Sequence, residues 1–200
     1  MYDKRTVLSV PEQEVLEQFL DLKKHYFAEI SNKTKLTRPR TLRVLKNMVE
    51  TGVLSTEKEA NIKYYHINKN PLSCALLGIV EYRRTHVFLE QNKVLKRALS
   101  TFSEKCSDYL IIIVFGSYVK NYAVSSSDID LLLIKENITK KDVKAAEELA
   151  DIVNGRTGMN ISPYLMKVEE FRKGNDLTGE VHKNHILLEG AELFFRLLIE

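Results

Sequence analysis

The chain has 200 residues, 44% of them hydrophobic and 28% charged, with a formal net charge of +3. These are the proportions of an ordinary soluble protein with one large or two small domains, and no apolar run approaches the roughly 20 residues that span a bilayer. The opening MYDKRTVLSVPEQE lacks the apolar core of a signal peptide, and Cys74 and Cys106 show neither metal-site spacing nor a disulfide framework, so a reducing, cytoplasmic setting with no membrane partner is expected.

The charge is unevenly spread. Residues 1–100 hold 18 Lys and Arg against 11 Asp and Glu, whereas residues 101–200 hold 12 against 16. A basic half joined to an acidic half implies two domains with different partners, the basic one suited to a polyanion.

Pro11 opens a helix expected over 12–22, with Val15, Leu16, Phe19 and Leu20 on one stripe. An extended piece at 25–27 and a brief helix at 28–33 follow. Thr37 has the character of an N-cap with Pro39 tolerated in the first turn, and the helix it starts runs to Glu50, with Gly52 as C-terminal cap. Leu42, Leu45, Met48 and Val49 form its apolar side, and Arg40, Arg43 and Asn47 recur on the other. From Lys33 to Lys46 there are six basic residues and no acidic one. Val53-Leu54 begins a strand, a polar turn spans 55–61, and 62–68 carries Tyr64, Tyr65 and Ile67, which reads as a hairpin.

Helix, short helix, basic helix and hairpin resemble, in that order, a winged helix-turn-helix. The resemblance implies a domain over 1–70 that binds double-stranded DNA, with the third helix in the major groove and the hairpin on the backbone. It places Arg38, Arg40, Thr41, Arg43 and Asn47 against the DNA.

Asn70-Pro71 breaks the chain. A helix over 72–82, ended by Arg83-Arg84, would be a linker or dimerisation helix within 71–87, and the protein is expected to be a homodimer. Another helix, over 87–105, leads into the most informative stretch, YLIIIVFGSYVKNYAVSSSDIDLLLI from Tyr109 to Ile134. An apolar, β-branched run (110–115) and a second apolar run (131–134) are bounded by turn residues and read as buried strands. Alternation along a strand puts Asp128 and Asp130 on one face. Two carboxylates side by side call for a cation, and Mg²⁺ takes such oxygens together with substrate phosphates. The Gly116-Ser117 turn suits phosphate, because glycine lets the backbone approach and the serine hydroxyl and N–H groups donate.

Gly-Ser, a spacer, then Ser-Asp-x-Asp resembles the signature of the nucleotidyltransferase superfamily, in its small "minimal nucleotidyltransferase" branch. The resemblance implies a polymerase beta-like α/β sandwich with a mixed sheet over 88–200. It assigns Gly116, Ser117 and Ser127 to the nucleotide and Asp128 and Asp130 to metal and catalysis. Mg²⁺ and an NTP, with ATP expected, are the cofactors. Asn121 stands where the family usually has a second glycine. The family draws a third carboxylate from a neighbouring strand, but the matching strand here, 160–167, contains no Asp or Glu. Asn160 and Ser162 are its nearest polar substitutes.

Beyond that strand, Thr139 caps a helix with Val143, Ala146, Leu149, Ala150 and Val153 buried and Gly155 as its stop. Helices are expected over 169–173 and 177–186, and an edge strand over 191–198. The close pair His182 and His185 reads as packing and not as a metal site.

Two functions follow. One is an enzyme that transfers a nucleoside monophosphate to a hydroxyl acceptor. The acceptor could be a protein, since members of this branch are often antitoxins that modify a HEPN-type toxin. The other is a transcriptional regulator whose nucleotidyltransferase-like half is catalytically weak or inactive and senses nucleotide or mediates dimerisation.

Overall fold

The computed structural model describes residues 7–91, 93–106, 108–120 and 127–199. The chain divides into two compact units between Val80 and Glu81, with Ile199 grouped with the first.

In the first unit the order is α1 (Val10–Leu16) with a 3₁₀ turn (Glu17–Phe19), β1 (His25–Tyr26), α2 (Phe27–Lys33), α3 (Arg38–Glu50), β2 (Leu54–Glu59) and β3 (Ile62–Ile67). The first helix is tighter and shorter than 12–22, because Leu22 takes a left-handed φ of 57° and the chain turns there. Helix α1 packs on α3, and Val15, Leu16, Phe19, Ile30, Leu45 and Met48 form the unit's core. β3 is the middle of an antiparallel sheet of order β1-β3-β2. Residues 55–59, expected to be turn, pair in register with β3 down to Glu59↔Ile62, leaving only Ala60 and Asn61 to turn. Ala60 meets that tight turn with a φ of 50°. Polarity misled here, since a two-sided solvated ribbon needs no apolar residues at its tip. Leu42 is 52% exposed and Thr41 is fully buried, so the packed side of α3 is rotated from the one expected.

Helix α4 (Pro71–Glu90) runs through Arg83-Arg84 without a break. Arginine is a good helix former, and Arg84 is held by Glu81 one turn earlier at 3.0 Å. The second unit continues with α5 (Lys93–Ser103), β4 (Ile111–Phe115), β5 (Ile129–Lys135), α6 (Lys140–Thr157), β6 (Ile161–Lys167), α7 (Val168–Lys173), α8 (Asp176–Lys183), β7 (Ile186–Glu189) and α9 (Ala191–Ile199). Its sheet has the order β6-β5-β4-β7, parallel between β5 and β6 and antiparallel elsewhere. The unit is therefore a mixed α/β sandwich. Every residue of β4 is buried, and β5 is buried at all but Asp130 and Lys135. One face of the sheet (Ile112, Val114, Leu131, Leu133) packs on Leu95, Leu99 and Phe102 of α5 and Ala146, Leu149 and Val153 of α6. Val143 is 39% exposed and not part of that stripe.

Two expectations are corrected here. Helix α6 passes Gly155 and stops at Gly158, which caps it with a φ of 71°. Residues 191–199 form a helix and not an edge strand. Their run of Ala, Glu, Leu and Phe has no strict alternation, and Phe194 and Phe195 are both fully buried, which a half-covered edge strand would not allow. The sheet's edge is instead β7, covered by α4. Thr85 Oγ1 donates to the Leu187 carbonyl at 2.9 Å, and the Leu187 N–H donates to Glu81 at 3.3 Å. Covering unpaired backbone groups in this way blunts an edge. The opposite edge, β6, carries Pro163, a residue that edges tolerate.

Candidate active site

The site lies where β4 ends and β5 begins. The antiparallel register pairs Phe115 with Asp130, so the turn that leaves β4 begins beside that carboxylate. Gly116 has a φ of +75°. A Cβ built there would overlap the Asp130 carboxylate, standing 3.0 Å from its Cγ. Glycine is therefore required twice, for the left-handed backbone and for the room. Ser117 follows, half-buried. Lys120 closes the turn, its N–H donating to the Gly116 carbonyl at 3.3 Å.

Ser127 and Asp128 precede β5. Ile129 between the two acids is fully buried in the α5–α6 core, which leaves Asp128 and Asp130 on the other side. Asp128 is exposed and Asp130 half-buried. Tyr118 OH donates to the Ser127 carbonyl at 3.3 Å and so ties the turn to the approach of β5. Burial raises the Tyr118 hydroxyl above its ordinary value, and the charge of Asp128 raises it further.

Strand β6 sets Ser162 opposite Asp130. This is the neighbouring-strand position from which an acid was sought. Its hydroxyl lies 3.5 Å from Asp128 Oδ2, close enough to orient that carboxylate but without charge. Tyr164, two residues along the same face, meets Phe115 edge to face at 5.6 Å.

Asp130 is the electrostatic centre. Burial pushes its carboxyl above the ordinary aspartate value, and the charges of Asp128 and Glu180 push in the same direction. Glu180 lies on α8 and has no counterpart in the sequence expectations. Its Oε1 accepts from Lys120 Nζ at 2.5 Å. Among the described residues no ion pair reaches Asp128 or Asp130, and no three acids, histidines or cysteines converge into a metal cage. Concentrated negative charge on oxygen ligands, partly withdrawn from water and unneutralised by a lysine or arginine, fits a hard divalent cation. Asp128 and Asp130 would hold it.

Of the residues expected from sequence, Gly116, Ser117, Ser127, Asp128 and Asp130 come together at this corner. Asn121 lies outside the described residues. In the first unit, Arg38, Arg40, Arg43 and Asn47 are exposed on α3. Arg38 lies over the Phe27 ring at 5.4 Å, and Asn47 donates to Glu12 at 3.1 Å. Thr41 is corrected: its hydroxyl donates inward to the Thr37 carbonyl at 3.2 Å, and the side chain faces the core and not the exposed basic side. The residues that sequence reasoning missed are Tyr118, Lys120 and Glu180. The first two sit inside the motif's spacer, and a cation three residues past a phosphate-type turn was a readable signal.

Residues 97–189 match the family model described as Polymerase beta, Nucleotidyltransferase. A stretch of 83 residues is 41% identical to MJ1305 of Methanocaldococcus jannaschii, which carries the provisional name protein adenylyltransferase; the match covers 38% of this chain and 56% of that protein. The chain thus spans about half the length of the curated relative it matches. A solved structure of TrmBL2, an archaeal chromatin protein described as showing a novel mode of DNA binding, aligns over 80% of this chain and 66% of that one at 15% identity, with a TM-score of 0.29. That score is too low to carry fold or function. No helix among the described residues is long and apolar enough to cross a membrane. The family match falls on the half of the chain that carries the corner built by β4 and β5.

Proposed function

We propose that the second unit binds a magnesium-bound NTP, ATP by preference, and transfers its nucleoside monophosphate to a hydroxyl on a protein. The observation that carries this reading is the fit of Gly116 against Asp130. A turn with no room for a side chain abuts a carboxylate that burial, and then the charge of Asp128, pushes above its ordinary value. Such an arrangement costs stability at a place where packing alone would not require it, which is the mark of a functional corner. The name borne by the archaeal relative adds the protein acceptor.

In the reaction the acceptor oxygen bonds to the α-phosphorus, the bond between that phosphorus and the bridging oxygen to the β-phosphate breaks, and pyrophosphate leaves with the bridging oxygen. The hydroxyl proton passes to a carboxylate or to water. Magnesium supplies charge neutralisation at the phosphate oxygens when bound. The chain's own contribution is positional. Ser117 and the N–H groups of the turn orient phosphate, Asp128 and Asp130 hold the cation, and Ser162 steadies Asp128. The test is incubation with α-³²P-ATP and candidate acceptors, HEPN-type toxins among them, followed by gel autoradiography. Label should appear on an acceptor and vanish in Asp128→Ala/Asp130→Ala. Label that survives the double substitution sinks the mechanism.

The second reading concerns the first unit and stands independently. We propose a winged helix-turn-helix that binds double-stranded DNA as a dimer. Its support is the order α1-β1-α2-α3-β2-β3 with β3 central in the sheet, together with Arg40 and Arg43 exposed on α3. Binding to operator-sized duplexes should fall steeply with salt, and Arg40→Ala or Arg43→Ala should lower the affinity. A salt-insensitive shift, or none with any duplex, overturns it.

A further inference from the structure

Strand β6 brings no third acid to the candidate site, and helix α8 carries one, Glu180, that is joined to the Gly116 turn through Lys120. Glu180 is half-exposed, and its carboxylate is engaged by Lys120, whose own backbone is fastened to Gly116. The pair is thus tethered to the same turn whose Gly116 has no room for a Cβ beside Asp130. Lys120 and Glu180 keep 34% and 40% of their side-chain surface in solvent. An ion pair so exposed is held weakly. A triphosphate presents several negative oxygens to a lysine ammonium where Glu180 presents one carboxylate, and the lysine stem is flexible enough to move between them.

Resting on the nucleotidyltransferase reading of this site, we propose that Lys120 and Glu180 are an exchangeable pair. An incoming magnesium-bound nucleoside triphosphate draws Lys120 to its phosphate oxygens, and the released Glu180 becomes the third acid beside Asp128 and Asp130. Without nucleotide the pair holds Glu180 on Lys120, which agrees with the absence of a three-acid cage among the described residues. With nucleotide the lost ion pair is replaced by two better ones, ammonium to phosphate and carboxylate to cation. Completion of the cation site is thereby coupled to occupancy by nucleotide, and the third acid comes from a helix where the neighbouring strand offers only Ser162.

The test is Mn²⁺ binding by the full chain, read as loss of the free-ion signal in electron paramagnetic resonance, with and without the non-transferable analogue α,β-methylene-ATP. Lys120→Ala should raise Mn²⁺ affinity without nucleotide by roughly two- to fivefold, the factor that an exposed ion pair is worth, while weakening the analogue. Glu180→Gln should do the reverse. It should tighten the metal-free analogue by a similar factor and reduce the Mn²⁺ bound in its presence. Opposed signs in two variants cannot come from a general loosening of the fold. If Lys120→Ala leaves Mn²⁺ binding unchanged, or Glu180→Gln matches the wild type with analogue present, the exchange is overturned. Asp128→Ala separates this from the underlying reading. If it loses Mn²⁺ while the other two variants behave as wild type, the site stands and only the exchange falls. If it binds Mn²⁺ and analogue normally, the site itself is wrong.

Discussion

Replacing Gly116 by alanine should destabilise the second unit for two reasons. Two separable penalties act. A left-handed backbone costs an L-residue about 1–2 kcal/mol. The new Cβ also overlaps the Asp130 carboxylate, with 3.0 Å to its Cγ and 3.4 Å to its Cβ. To make room the carboxylate must rotate away from its preferred rotamer, at about 0.5–1.5 kcal/mol. The sum is roughly 1.5–3.5 kcal/mol, or about 3–14 °C in Tm for a chain of this size. A double-mutant cycle with Asp130→Ala isolates the second penalty, because removing the carboxylate opens the space and leaves the backbone strain untouched. Gly116→Ala should then cost about 1 kcal/mol less in the Asp130→Ala background than in the wild type, as measured by urea unfolding. Additivity within roughly 0.3–0.5 kcal/mol would show that the turn does not press on Asp130 and would remove the observation on which the catalytic reading rests.

Asp130→Asn should raise Tm at pH 7. A carboxyl raised in the folded state binds its proton more tightly there than in the unfolded chain, so stability is lost as pH rises above the ordinary aspartate value. The gain should vanish in thermal scans near pH 3, and adding Mg²⁺ at pH 7 should stabilise the wild type but not the variant. His185 works in the other direction. Burial, then the Arg84 guanidinium, then His182 push its imidazole down to about 3, against the hydrogen bond from Nδ1 to the Val181 carbonyl at 2.8 Å. Glu81 lies 4.0 Å from Nε2. The unfolded chain therefore takes up the proton first, and stability should fall by about 2 kcal/mol between pH 6.5 and pH 5. His185→Gln should flatten that slope in denaturation midpoints taken across the window, and an unchanged slope would place its cause elsewhere. Thr41→Val should lower the stability, and with it the Tm, through the loss of about 1 kcal/mol from the hydrogen bond to Thr37. It should leave the salt dependence of DNA binding unchanged, whereas Arg43→Ala should change the salt dependence and leave Tm alone.

Where one physical signal dominated, the sequence was easily read. The run from Ile111 to Phe115 has nothing but β-branched and aromatic side chains, and it lies buried on both faces of the sheet as such a run must. Thr139 with Asp142 three residues later announced the start of α6, and the reciprocal cap is present. Signals failed where two periods fitted the same residues. Ala191–Ile199 is short and mostly apolar, and its one helical signal, Glu192 and Arg196 four residues apart on the exposed side, is easily read past in favour of a strand. In α3 a rotation of one residue exchanged Leu42 for Thr41 on the packed side, because a threonine that bonds back to its own helix can be buried like a valine.

The catalytic corner divides along the same line. Gly116, Asp128 and Asp130 were legible because a hairpin-like pair of strands brings together residues close in sequence, and alternation fixes which side they face. The third acid was not legible. Glu180 comes to Lys120 from α8, 50 residues after Asp130 in the chain, and no local period reports that approach. A strand search could only examine β6, where Ser162 holds the position opposite Asp130. The trace that did exist was Lys120. A lone cation placed among phosphate-turn residues needs a counter-charge when no phosphate is bound, since a half-buried ammonium without one is costly. Asp130, the acid nearest the turn, is pressed by Gly116, whereas Lys120 pairs with Glu180. The absent acid in the neighbouring strand and the unexplained lysine in the turn are therefore one problem with one solution. A chain that kept Lys120 but lost Glu180 should bind metal-free nucleotide more tightly and lose the coupling between nucleotide and metal.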